Sequence, residues 1–157
     1  MGGGSRRAPR RPGVLPVILV DTSAWIELLR ASGHPAHITL RHHLARRSPI
    51  ATTEPVIMEL LAGVRSRREH SRMRARLLAL PQLTVRGLAD FEAAAELYRA
   101  CRTKGATVRK LMDCLIAAVA IRENATVLHH DDDFEVLVRH TRLRTERYRV
   151  LRPVPAG

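Results

Sequence analysis

The residues best suited to chemistry are four acids spread along the chain, Asp21, Glu59, Asp113 and Asp131, with Ser23 and Asp133 close to two of them. Asp21 directly follows the apolar run 17–20. Asp131 stands just beyond a second apolar run, 125–128, with Asp132 and Asp133 behind it. Both runs read as buried strands, and open parallel sheets bind ligands where the carboxyl ends of their strands meet. If the two strands are neighbours, their carboxylates face each other. Asp113 opens the apolar segment DCLIAAVAI, and Glu59 lies in EPVIMELLAG, whose apolar residues bury one helical face. A buried carboxylate is costly, and several together raise one another's pKa, so such a cluster needs a positive partner. Hard dications such as Mg2+ or Mn2+ take oxygen ligands and keep several waters. An acid set with no cysteine and no histidine spacing suits that class of metal.

Positioning these acids calls for strands that alternate with helices. The strand 17–20 runs into the helix signals Thr22 and Ser23 and the apolar stretch 24–29. A helix over 37–47 leads to a short strand at Ile50 and Ala51, and Thr52 or Thr53 can cap a helix over 54–61 that ends at Gly63. A basic helix over 67–80 stops at Pro81, and a brief strand over 83–85 precedes a long helix, 88–102, closed by Gly105. Helix 111–121, strand 125–128 and helix 132–140 follow, with strand signals near Leu143 and over 148–151. This order implies right-handed βαβ crossovers, and hence an α/β fold with a central, mainly parallel sheet covered by helices on both faces.

A chain of 157 residues fits one domain that buries roughly 70% of its unfolded surface. With 45% hydrophobic and 27% charged residues, it has a globular composition. The net charge of +12, nearly all of it from arginine, favours polyanionic partners and bidentate phosphate contacts. Aromatic residues make up only 3%, which excludes base-stacking platforms as the main grip. Cys101 and Cys114 lie in helical patterns without metal or disulfide spacing and read as inert thiols. The apolar run 14–20, interrupted by Pro16, is too short to span a membrane and lacks a cleavage signal, so a cytosolic protein is expected. Residues 1–16 read as a disordered basic arm, 17–152 as the folded domain and 153–157 as a frayed tail.

Four segments in order, VILVDTSAWIELL at 17–29, EPVIMELLAG at 54–63, DCLIAAVAI at 113–121 and ATVLHHDDDF at 125–134, resemble the successive signatures of PIN-domain ribonucleases, and among these the VapC toxins. The resemblance implies an α/β/α sandwich and an endoribonuclease, the toxin of a toxin–antitoxin pair, that cleaves RNA phosphodiesters with a water activated by Mg2+ or Mn2+. By position, Asp21, Asp113 and Asp131 correspond to metal-facing aspartates, and Glu59 to the acid that completes the catalytic quartet. Asp133 matches a secondary acid, and Ser23 a hydroxyl that holds a ligand or a water. His129 and His130 stand where the family often has small or polar residues, and read as structural or solvent-facing. The resemblance further implies an antitoxin partner and a homodimer. Trp25, Ile26, Leu28 and Leu29 lie where a helix can offer an apolar groove, although core packing accounts for most of them.

Taken singly, each acid has a plainer use. Asp21 caps a helix, Asp113 suits the helix dipole, the aspartates at 131–133 form a cap and a solvated turn, and Glu59 is an exposed helix residue. A catalytically silent nucleic-acid-binding domain is therefore the alternative, opposed by the complete acid quartet. An aspartyl phosphatase wants a second aspartate where Ser23 stands, and no GxGxxG or GxxxxGK[ST] motif occurs. The arginines at 65, 67, 68, 72, 74 and 76, and a second series over 139–152, suit an RNA backbone, an acidic partner or plain solvation.

Overall fold

The computed structural model describes residues 16–146 and residue 148. The basic arm, the tail and most of the strand expected over 148–151 lie outside the described residues. Three strands, β1 (Ile18–Val20), β2 (Ile50–Ala51) and β3 (Thr126–Leu128), form a parallel sheet in the order β2-β1-β3. Leu19 of β1 pairs with Ala51 on one side and Val127 on the other. All three β1 residues are buried, and since successive side chains point to opposite faces, both faces of the sheet are covered. Single parallel bridges, Thr52 to Gln82 and Val127 to Thr145, extend the two edges.

Seven helices surround the sheet among the described residues: α1 (Thr22–Leu29), α2 (Pro35–Ala45), α3 (Glu54–Ala62), α4 (Arg67–Leu78), α5 (Gly87–Thr103), α6 (Leu111–Arg122) and α7 (Asp132–His140). Helix α6 is buried continuously from Asp113 to Ala120, as befits a helix apolar on all sides, and it packs against α3, α5 and α7. Phe134, Leu137, Leu40, Val56 and Leu77 fill the core around it. No helix among the described residues is long and apolar enough to cross a membrane. Cys101 and Cys114 are both buried, and burial pushes the Cys114 thiol up to about 12, which makes it a poor nucleophile.

The elements differ from the sequence-based expectations mainly at their ends. Helix α2 begins at Pro35, capped by His34, whose Nδ1 accepts from the Ala36 amide at 3.1 Å. It stops at Ala45 because Arg47 turns left-handed at φ 51°. The strand expected over 83–85 shrinks to the bridge at Gln82, and the basic helix stops at Leu78 rather than 80. Thr53 is the N-cap of α3, but its hydroxyl donates to Glu54 Oε2 rather than capping an amide.

Candidate active site

The β1–β3 pairing brings the two strand-end aspartates together. Asp21 ends β1, caps α1 and donates its amide to the Leu128 carbonyl of β3 at 2.9 Å, which ties the two strand ends. Its Oδ2 accepts from the Ser23 amide at 2.9 Å and the Ser23 hydroxyl at 2.5 Å. Its Oδ1 is buried with no hydrogen-bond partner among the described residues. Burial lifts the Asp21 pKa above the ordinary carboxylate range despite the Ser23 hydrogen bonds, and the nearby Glu59 charge adds to the rise. Ser23 also accepts the His130 amide at 2.8 Å, so one hydroxyl ties Asp21 to the loop after β3.

Asp113 lies in the first turn of α6, only 3% exposed, and its Oδ2 is likewise buried without a hydrogen-bond partner. Burial, then the charge of Asp21, push its pKa to about 7, with Lys110 opposing and Asp131 and Asp133 adding. Asp131 caps α7, its Oδ1 accepting the Asp133 amide at 3.0 Å. Burial disfavours its ionised form, yet Lys110, the Asp133 amide and Arg109 outweigh that and hold its pKa below the usual range.

One carboxylate oxygen from each of Asp113, Asp131 and Asp133 lies within 4.8 Å of the other two. Asp133, however, is already engaged. Its Oδ2 accepts from the Arg109 and Lys110 amides at 3.0 and 2.9 Å, and its Oδ1 from Arg109 Nε at 3.1 Å. It braces the chain leading into α6, and through that chain it sets the position of Asp113. Asp21 and Glu59 lie outside this tight group of three and join it through charge, Glu59 acting on Asp21 and Asp21 on Asp113. Half-buried on α3, Glu59 accepts from the Thr22 hydroxyl at 2.5 Å.

Three participants escaped the sequence reading. Thr22 positions Glu59, and Arg109 and Lys110 flank the acids; a basic pair just ahead of DCLIAAVAI was the signal for the latter. His129, expected to be structural or solvent-facing, is structural. It is buried, packs on Phe134 with ring centroids 5.0 Å apart, and its Nδ1 accepts the Asp131 amide at 3.2 Å. Burial lowers its pKa and so favours the neutral ring, which shapes the turn that carries Asp131. His130 is exposed.

The donor set fits a hard dication. Two buried carboxylate oxygens, Asp21 Oδ1 and Asp113 Oδ2, lack hydrogen-bond partners among the described residues, and every other acid at the site offers oxygen alone.

The PIN domain family matches residues 18–139 of this chain. Ribonuclease VapC11 of Mycobacterium tuberculosis is 44% identical over 134 residues, covering 85% of this chain and 100% of that protein. The chain belongs to the PIN-domain family, in its VapC branch. VapC ribonuclease Mb1587 of Mycobacterium bovis matches with the same 44% identity and the same coverage, 85% of this chain and 100% of its own. Among solved structures, VapBC2 from Rickettsia felis bound to a promoter DNA fragment superposes with a TM-score of 0.64 at 21% identity, covering 83% of this chain and 97% of that one. That likeness bears on the fold, an α/β PIN architecture. The PIN match runs from β1 into α7 and includes Asp21, Ser23, Glu59, Asp113, Asp131 and Asp133.

Proposed function

We propose that this protein is a divalent-metal-dependent endoribonuclease, the toxin of a toxin–antitoxin pair, with residues 17–152 as its nuclease domain, a basic arm at 1–16 and a short tail at 153–157. The observation that carries the reading is the pair of buried oxygens on Asp21 and Asp113, beside Asp131, that accept no hydrogen bond among the described residues. The ribonuclease names of the relatives at 44% identity support the substrate class. Asp21, Asp113 and Asp131 hold Mg2+ or Mn2+. When bound, the cation supplies Lewis acidity, making a water a better nucleophile and offsetting charge on the scissile phosphate.

The other roles belong to the protein's own groups. Glu59, held by the Thr22 hydroxyl, orients the attacking water and takes its proton at a carboxylate oxygen. Ser23 fixes one oxygen of Asp21 and leaves the other free. Asp133 holds the 109–110 segment, and with it the start of α6. The exposed arginines at 65, 67, 68, 72, 74 and 76 suit the RNA backbone. Trp25 is buried, Ile26 and Leu28 are partly so, and Leu29 is 53% exposed, which leaves the end of α1 as an apolar contact for an antitoxin or a second copy. The protein works in the cytoplasm, as a homodimer restrained by its antitoxin.

Purified protein incubated with cellular RNA, with and without a chelator and beside Asp21→Asn, tests this. Cleavage that stops in chelator, returns with Mg2+ or Mn2+ and is absent from the variant is the expected result. RNA binding without metal-dependent cutting contradicts the proposal and favours a silent binding domain.

A further inference from the structure

The ammonium of Lys110 lies among the acids that a cation would bind. Its Nζ pairs directly with Asp131 Oδ2 and lies 3.6 Å from Asp113 Oδ2, the oxygen that has no hydrogen-bond partner among the described residues. Its backbone cannot drift, because its amide is held by Asp133 Oδ2 at 2.9 Å. The side chain is flexible and 49% exposed, so it is free to leave toward solvent. Nearly all the chain's cationic side chains are arginines, and the lysines are Lys104 and Lys110 alone. A compact ammonium imitates a bound metal cation better than a planar guanidinium does. The neighbouring Arg109 reaches the same cluster differently. Its Nε is committed to Asp133 at 3.1 Å, and its nearest approach to Asp131 is 3.7 Å.

We propose that Lys110 is a tethered counter-ion that fills the cation's place between Asp113 and Asp131 in the metal-free protein and must swing out when a dication binds, so that it sets the metal concentration at which the site loads. This inference rests on the metal-site reading above. An ion pair that has to break before binding weakens the apparent affinity by the free energy of that pair.

Calorimetric titration of Mn2+ into the full chain, freed of metal, compares wild type with Lys110→Gln, Arg109→Gln and Asp113→Asn. Lys110→Gln is expected to bind Mn2+ about three- to tenfold more tightly than wild type. Arg109→Gln is expected to change affinity less, because mere proximity of positive charge is common to both residues. Equal gains from the two variants reduce Lys110 to background charge and overturn the proposal. So does Lys110→Gln binding like wild type while Asp113→Asn loses binding, a result that leaves the metal site itself intact. Wild type and Asp113→Asn binding alike, or neither binding, overturns the metal site and this inference together.

A second readout needs no substitution at residue 110. With 13C-labelled lysine, the Lys110 side-chain NMR signal, assigned by elimination in Lys104→Arg, moves to that of a freely solvated lysine on adding Mg2+, while the Lys104 signal of the wild type stays fixed. A Lys110 signal that ignores bound Mg2+ contradicts the exchange.

Discussion

Two buried aspartates in this molecule have opposite surroundings. Asp90, in the first turn of α5 and 2% exposed, has both oxygens satisfied. Arg122 donates to Oδ1 from Nε at 2.9 Å and to Oδ2 from a terminal nitrogen at 2.8 Å, and the Arg86 amide adds a bond of 2.7 Å. The Arg122 hydrogen bonds hold its pKa below the ordinary range even though burial opposes them. Asp113, at 3% exposure, has one oxygen without a hydrogen-bond partner among the described residues, and its pKa rises to about 7 because burial and the Asp21 charge outweigh the opposing Lys110. A chain rich in arginine supplies a bidentate partner for an acid that joins α5 to α6, and supplies none to Asp21 or Asp113. Equal burial with unequal pairing separates an acid that holds the fold from the acids of the proposed metal site.

The comparison is broken most severely at Asp113. Asp113→Asn is expected to reduce RNA cleavage by at least about 100-fold. The same change is expected to stabilise the metal-free protein at pH 8 by roughly 1–3 kcal/mol, because a buried charge that Lys110 only partly offsets is gone. Cleavage assays and chemical denaturation read the two effects, and a variant that is less stable and still active reverses the assignment. Arg122→Met gives the opposite pattern. Stripping Asp90 of its partner costs about 3 kcal/mol in denaturant unfolding. The affinity for Mn2+ in variant that remains folded stays at the wild-type level, and a change in that affinity would join two regions the geometry keeps apart.

A smaller effect probes the ends of the helices. Helices α1, α2, α5 and α6 all close with the residue after the cap turned left-handed, at Ala31, Arg47, Gly105 and Asn124. At α6, for example, the Ala125 amide reaches back to the Ala120 carbonyl at 2.8 Å. A non-glycine residue is strained in that conformation, so Arg47→Gly should stabilise the fold by about 0.5–1 kcal/mol, read as a raised denaturation midpoint.

These closures also show what was legible in the sequence. The end of α5 was readable because Gly105 advertises the left-handed turn, whereas Arg47 looks like one more helical residue and the expected helix ran two residues past Ala45. The two strands that carry Asp21 and Asp131 stood out because strands covered on both faces are continuous apolar runs. The edge segment near Gln82 makes one bridge and carries no such run. At the site, the acids were legible as types at motif spacing. Their partners were not, since the reach of Lys110 to Asp131 and the brace of Asp133 on residues 109 and 110 span loops that no local pattern encodes.

In the proposed metal site, the buried oxygens of Asp21, at the end of β1, and Asp113, at the start of α6, that lack hydrogen-bond partners among the described residues are balanced by a shared dication. In the unfolded chain Asp113 ionises near its ordinary 3.8, and in the folded metal-free protein near 7. Between those pH values the unfolded chain has released a proton that the folded protein keeps, so this group's contribution to stability falls as pH rises and carries its full penalty above 7. A bound cation removes that penalty and needs the ionised carboxylate. His129 works the other way, its buried ring resisting protonation at low pH, so the readout is the change caused by metal at each pH rather than the pH profile itself. Thermal unfolding with and without Mg2+ at pH 8 and pH 5 measures it directly. Mg2+ should raise the melting temperature clearly at pH 8 and little at pH 5, and neither shift should occur in Asp113→Asn. A melting temperature at pH 8 that is indifferent to Mg2+ and Mn2+ would contradict the account.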